Sequence, residues 1–132
     1  MFFKRDLIFI KMEKMKAYNK AVDLAVYFDK VVVHFSKYHK YGIGMDMKKL
    51  SQEIAQDIFE EIELNKNLSV VKIKRLSVLV NICNSAQGFK NKSSAGYSLK
   101  LIAELLKQIN LANARAGQAQ NFQGGTLKSV VC

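Results

Sequence analysis

Lys37-Tyr38-His39-Lys40-Tyr41-Gly42-Ile43-Gly44 separates two long amphipathic patterns, and its reading decides the fold. Two glycines so close together disfavour helix, because Gly carries the largest backbone entropy cost and readily takes positive φ. The stretch therefore reads as the elbow of a helical hairpin, with a basic and aromatic rim.

Upstream of the elbow, a helix is expected from about Met15 to Tyr38. Ala21, Ala25, Phe28, Val32 and Phe35 recur at alternating four- and three-residue steps and make an inward stripe. Val22, Val26 and Val33 form a second, smaller stripe. Two stripes on one helix imply two packing partners, one of them outside the subunit. Downstream, Met47, Leu50, Ile54, Ile58 and Ile62 mark a helix from about Met45 to Asn65. Asn67 or Ser69 is the expected N-cap of a third helix, which runs to about Gln87 with Leu76, Leu79, Cys83 and Ala86 inward. Gly88 reads as its stop, and Ser93 or Ser94 as the start signal of a fourth helix over about Ala95–Ala114. Leu101, Ile102, Leu105, Ile109 and Ala112 form the core stripe of that helix. Leu99 and Leu106 widen its apolar arc beyond what one neighbour needs.

Four such helices, each roughly 30 Å long and joined by short loops, predict an all-α, antiparallel up-down-up-down four-helix bundle over residues 15–115. Residues 1–14 are expected to be a poorly ordered extension, and residues 116–132, rich in Gly, Gln, Ala and Asn, a flexible tail.

The chain has 132 residues, 21 basic and 11 acidic, for a net charge of +10. The imbalance is uneven. Residues 46–63 carry six acids and two lysines, whereas residues 64–132 carry ten bases and the single acid Glu104. Such a map predicts a basic face suited to a polyanion and an acidic face suited to a basic partner. Two cysteines make no disulfide framework, and a reducing, cytoplasmic setting fits. No apolar run approaches the length of a membrane span. A P-loop, a G-x-G-x-x-G run, Cys or His pairs at metal spacing and the Glu-x-x-His pair of a di-iron bundle are all missing from the sequence. The expectation is a protein that is not an enzyme and needs no cofactor.

Phe35, Lys37, His39-Lys40-Tyr41 and Ile43-Gly44, followed by Met47-Lys48-Lys49 and the turn Asn65-Lys66-Asn67, carry a family resemblance. The pattern resembles the Phe-x-Lys-x-His-Lys-Tyr-x-Leu-Gly signature of a four-helix-bundle family. That family holds the accessory variability determinant (Avd) of diversity-generating retroelements and the proteins encoded in intervening sequences of bacterial 23S rRNA genes. The similarity spans about residues 15–113. It implies a ring-like homo-oligomer, a pentamer, that binds nucleic acid, RNA with DNA as the second candidate. In the retroelement members it also implies binding to the reverse transcriptase in support of mutagenic copying of a template RNA. The rRNA-associated reading and a purely structural oligomer are the alternatives.

Candidate residues follow from both lines. Lys72, Lys74 and Arg75 make a dense basic cluster, read as unpaired. With Lys90 and Lys92 they are expected to form an RNA-binding surface, to which Lys100, Lys107, Lys37, His39 and Lys40 contribute. Lys100, Glu104 and Lys107 read equally well as a solvated, ion-paired helix face. Tyr38, Tyr41 and Phe89 have the chemistry to stack on bases, although aromatics at bundle ends are more often lids on a core. Asp57, Glu60, Glu61 and Glu63 are the expected protein-partner patch. Val22, Val26, Val33, Leu99 and Leu106 are the expected oligomer interface.

Overall fold

The computed structural model describes residues 4–123, with side chains described for 7–91 and 93–117. It is all-helical. The elements run α1 (Lys4–Val32), the single turn α2 (Lys37–His39), a wide turn over Lys40–Gly44 that kinks at Gly42, α3 (Met45–Glu63), α4 (Val71–Ser85) and α5 (Lys92–Gln123). No strand occurs among the described residues. The four long helices pack around one core, α1 against α3 and α5, and α4 against the same two.

The core follows the expected periodicity most closely in α3, where Met47, Leu50, Ile54, Ile58 and Ile62 are all buried. In α1, Ala17, Ala21, Leu24, Phe28 and Val32 are buried, and Ala25 is only half-buried. The α4 stripe is rotated from the expected one. Ile73, Leu76, Val80 and Cys83 face inward, Leu79 is half-buried and Ala86 is exposed. Residues 70–82 are apolar on nearly every side, so period alone left the phase of α4 open. In α5, Ala95, Ile102, Leu105, Ile109, Ala112 and Ala116 are buried, while Leu101 is half-buried.

Helix boundaries differ from the sequence reading in four places. The first helix begins at Lys4, so residues 4–14 are part of α1, and Glu13 and Lys14 are buried against the rest of the chain. Nothing in that stretch breaks a helix. The same helix stops at Val32, short of Tyr38. The His34 and Phe35 N–H groups close tight bonds to Val31 and Val32, and Ser36 is extended at φ −59°, ψ 156°. The last helix runs on to Gln123, past Ala114, because Ala and Gln favour helix even where apolar period fades. The remainder of the expected tail, residues 124–132, lies outside the described residues.

The fourth difference concerns the glycines. No glycine among the described residues has positive φ. Left-handed backbone falls instead on Asn65 (φ 54°) and Gln87 (φ 60°). Each ends its helix with a paired closure. Lys66 N–H bonds Glu61 C=O at 2.8 Å and Asn65 N–H bonds Ile62 C=O at 3.2 Å. Gly88 N–H bonds Cys83 C=O at 2.8 Å and Gln87 N–H bonds Asn84 C=O at 3.1 Å. These bonds satisfy the last carbonyls of α3 and α4.

Two polar ties fasten the 64–70 loop. Asn113 offers both ends of its amide to Leu68, accepting from the N–H and donating to the C=O, each at 2.9 Å. Lys14 Nζ donates to Lys66 C=O at 2.9 Å. Burial pushes the Lys14 ammonium below its ordinary value, and Glu61 partly offsets that. No described helix is long and apolar enough to cross a membrane.

Candidate nucleic-acid interface

The elbow is held by its own aromatic anchor. Phe35 and Phe89 are both buried, with ring centroids 5.2 Å apart, edge to face. This contact fastens the elbow to the 86–91 loop. His39 lies against Gly88, where an added Cβ would sit 3.3 Å from His39 Cγ and 2.5 Å from Cys83 Sγ. Gly88 is thus small because the elbow and the end of α4 meet there. Elbow and loop together make one continuous rim.

With Phe35 and Phe89 acting as the lids, Tyr38 and Tyr41 are left outside, 84% and 66% exposed. Tyr38 and His39 rings stand edge to face, 5.0 Å apart. Lys40 Nζ lies 5.7 Å above the Tyr41 ring. Beside them, Val31, His34, Lys90, Asn91 and Ser94 line an open cavity of about 310 Å³. Asn91 Oδ1 accepts the Ser93 N–H at 3.0 Å and the Ser93 hydroxyl at 2.8 Å, so Asn91 caps α5 where Ser93 or Ser94 was expected to. The elbow therefore sets Lys37, His39 and Lys40 beside two exposed tyrosines, and the Phe35–Phe89 contact brings Lys90 to the same end of the bundle. The side chain of Lys92 lies outside the described residues. His34 and Asn91 join this rim although neither was singled out as a binding residue. Their proximity to Lys90 comes from the Phe35–Phe89 contact, which spans too much sequence for a periodic pattern to reveal.

The Lys72 cluster does not join that rim. Lys72 follows the 64–70 loop, which Lys14 and Asn113 hold at the far end of α4 from Lys90. Nor is the cluster unpaired. Lys72 Nζ lies 2.8 Å from Asp57 Oδ2 and 3.9 Å from Glu53 Oε2, and the hydrogen bond to Asp57 holds its ammonium above the ordinary value. Lys74 and Arg75 are exposed. On a wheel of about 100° per residue they point to the outer side of α4.

The same pairing divides the acidic patch. Asp57 is taken by Lys72. The Glu61 carboxylate accepts the Ser69 N–H, both oxygens at 3.2 Å, which fixes the approach to α4; the N-cap itself is Val70, in place of the expected Asn67 or Ser69. Burial raises the Glu61 carboxyl above its ordinary value. Glu60 and Glu63 remain exposed on α3. On α5, Lys100, Glu104 and Lys107 are exposed, and no ion pair joins them among the described residues.

The expected interface residues also separate. Val26 and Val33 are roughly half exposed and Val22 is half-buried. Leu99 and Leu106 are half-buried against the chain's own core, so their wide arc is used largely within the subunit. Burial pushes the Cys83 thiol up to about 11, which keeps it protonated at neutral pH. Among the described residues no three His, Cys, Asp or Glu side chains gather as a metal site.

Comparison with protein-family models, with curated proteins and with solved structures finds no match to this chain.

Proposed function

We propose that this chain is a non-enzymatic, cytoplasmic nucleic-acid-binding accessory protein, and that the elbow rim is its contact with a single-stranded RNA. In this reading it is an antiparallel up-down-up-down bundle that assembles as a ring of five. It works with the reverse transcriptase of a diversity-generating retroelement, as the elbow's resemblance to the accessory variability determinants implies. The observation that carries the binding claim is the pair of exposed tyrosines, Tyr38 and Tyr41, beside Lys37, His39 and Lys40, with Lys90 on the adjoining 86–91 loop. Tyrosine faces stack on bases of any sequence, while lysines neutralise the phosphates between them. Recognition by such a rim is mainly of backbone and stacking, and the same contacts accept single-stranded DNA. The exposed acids Glu60 and Glu63 offer the polymerase a contact away from the RNA.

The test is single-strand binding as a function of salt. With about four phosphates neutralised, the log-log slope should be about −3. Lys37→Glu, Lys40→Glu and Lys90→Glu together should remove most of that slope. Tyr38→Ala with Tyr41→Ala should weaken binding at every salt concentration and leave the slope unchanged. Unchanged affinity in both variants would overturn the assignment. A reverse-transcriptase gene beside the coding sequence, and copurification of its product lost in Glu60→Lys/Glu63→Lys, are expected on the same reading.

A further inference from the structure

We propose that copies of this chain join head to tail, the outer face of α1 in one copy docking on the outer face of α4 in the next. This names the interface of the homo-oligomer proposed above and rests on that reading.

The starting point is a pair of exposed apolar seams. On α1 and the residue following it, Val22, Val26 and Val33 lie on one solvent-facing line, with Asp29 completing the four-three-four spacing. On α4, Val71, Val78 and Ile82 lie on a solvent-facing line, with Arg75 completing the same spacing. All but the half-buried Val22 of these six apolar side chains are roughly half exposed or more. Both seams cover the same axial length, about 17 Å at 1.5 Å per residue. Each has the composition of a helix-packing surface in which three apolar positions surround one charge.

The charges are of opposite sign. Residues 22–33 carry two acids, Asp23 and Asp29, and one base, Lys30. Residues 71–82 carry Lys72, Lys74 and Arg75 and no acid. Lys72 is turned inward to Asp57, which leaves Lys74 and Arg75 on the outer side of α4. Asp29 touches Lys48 at 3.1 Å yet keeps most of its side chain in solvent, so it can take a second cation. A second copy therefore brings a matching apolar seam and the complementary charge. Pairing α4 with α4 would instead set Arg75 and Lys74 against their own kind, at a cost.

Topology makes the contact directional. α1 and α4 each pack on α3 and α5, which places them at opposite corners of the molecule. A surface that meets a different surface on its neighbour is heterologous, and it closes into a ring if the rotation per copy allows.

Two variants test this, with no RNA present, so that failure of the RNA reading leaves the outcome untouched. One carries Val26→Glu and Val33→Glu, the other Val78→Glu and Ile82→Glu. All four positions are solvent-facing, and circular dichroism checks that helix is retained. Light scattering should find the wild type assembled and each variant alone monomeric. An equimolar mixture of the two should form a one-to-one pair, because each chain still supplies one intact face. Lys74→Glu/Arg75→Glu should also dissociate the assembly, and adding Asp23→Lys/Asp29→Lys in the same chain should restore it. A wild-type monomer, a mixture that stays monomeric with both chains helical, or an α4 variant that still self-associates would overturn the proposal.

Discussion

Gly44 shows how a single missing Cβ shapes the elbow. Its backbone is ordinary right-handed helix, φ −60° and ψ −44°, so conformational freedom is not what the site needs. Space is. A Cβ there would lie 2.8 Å from Val32 Cγ1 and 2.9 Å from the His39 carbonyl oxygen. The carbonyl belongs to the backbone of α2 and cannot rotate aside. Gly44→Ala should therefore destabilise the protein by about 1–3 kcal/mol, the usual cost of forcing an atom into a packed site. Urea unfolding would measure it, and an unchanged midpoint would mean that α2 shifts freely. The expected break does fall at Gly42, which leaves the helical region at φ −101°, ψ −106°, but the sequence assigned Gly44 and Gly88 the wrong physics. A Gly read without coordinates suggests positive φ, whereas here Asn65 and Gln87 hold the left-handed positions and Gly44 and Gly88 mark close approaches.

Among the helices, α1 and α5 are joined by a polar tie that falls where the sequence suggested an extension. Gln108 Nε2 donates to Glu13 Oε2 at 3.0 Å and to the Glu13 carbonyl at 3.1 Å, and Lys16 Nζ lies 3.4 Å from Oε1. The Gln108 bond, aided by Lys16 and opposed by burial, holds the Glu13 carboxyl below its ordinary value of 4.5. A carboxylate with a depressed folded value contributes stability that is fully present above its unfolded value. That contribution is lost as pH falls through the folded value. Glu13→Gln should thus lower the melting temperature near neutral pH and come closer to wild type as pH falls below the ordinary carboxyl value of 4.5. A difference that stays constant with pH would assign the effect to packing alone. The α3 stripe and the four-helix count were legible because apolar period is a local property of the chain. The start of α1 was not, since residues 4–14 lack a cap signal and their partner, Gln108, is more than ninety residues away. The phase of α4 was hidden by apolar residues on its outer side, the ones that the proposed head-to-tail contact would cover.

For the whole molecule, the bases separate into two sets with different expected tasks. Lys37 and Lys40 stand in the elbow beside exposed tyrosines with Lys90 on the adjoining loop, while Lys74 and Arg75 stand on α4 beside an apolar seam. Composition placed both sets in one surface because a sequence gives charge but not distance. Their division depends on contacts such as Phe35–Phe89 and Lys72–Asp57, which join separate helices and loops. The two proposals together make the sets separable. An elbow variant, Lys37→Glu/Lys40→Glu/Lys90→Glu, should remain assembled and lose RNA at every oligonucleotide length. The α4 variant, Lys74→Glu/Arg75→Glu, should become monomeric yet keep the affinity of one rim for a short oligonucleotide. On a long strand the wild type should bind far more tightly than that monomer. Linked rims on one assembly rebind at high effective concentration, a gain of order 10²–10⁴ without any new contact. Binding measured against strand length, with mass determined on the same samples, distinguishes the cases. If the α4 variant lost short-strand affinity as fully as the elbow variant, Lys74 and Arg75 would belong to the RNA surface, and the division of labour argued for here would fail.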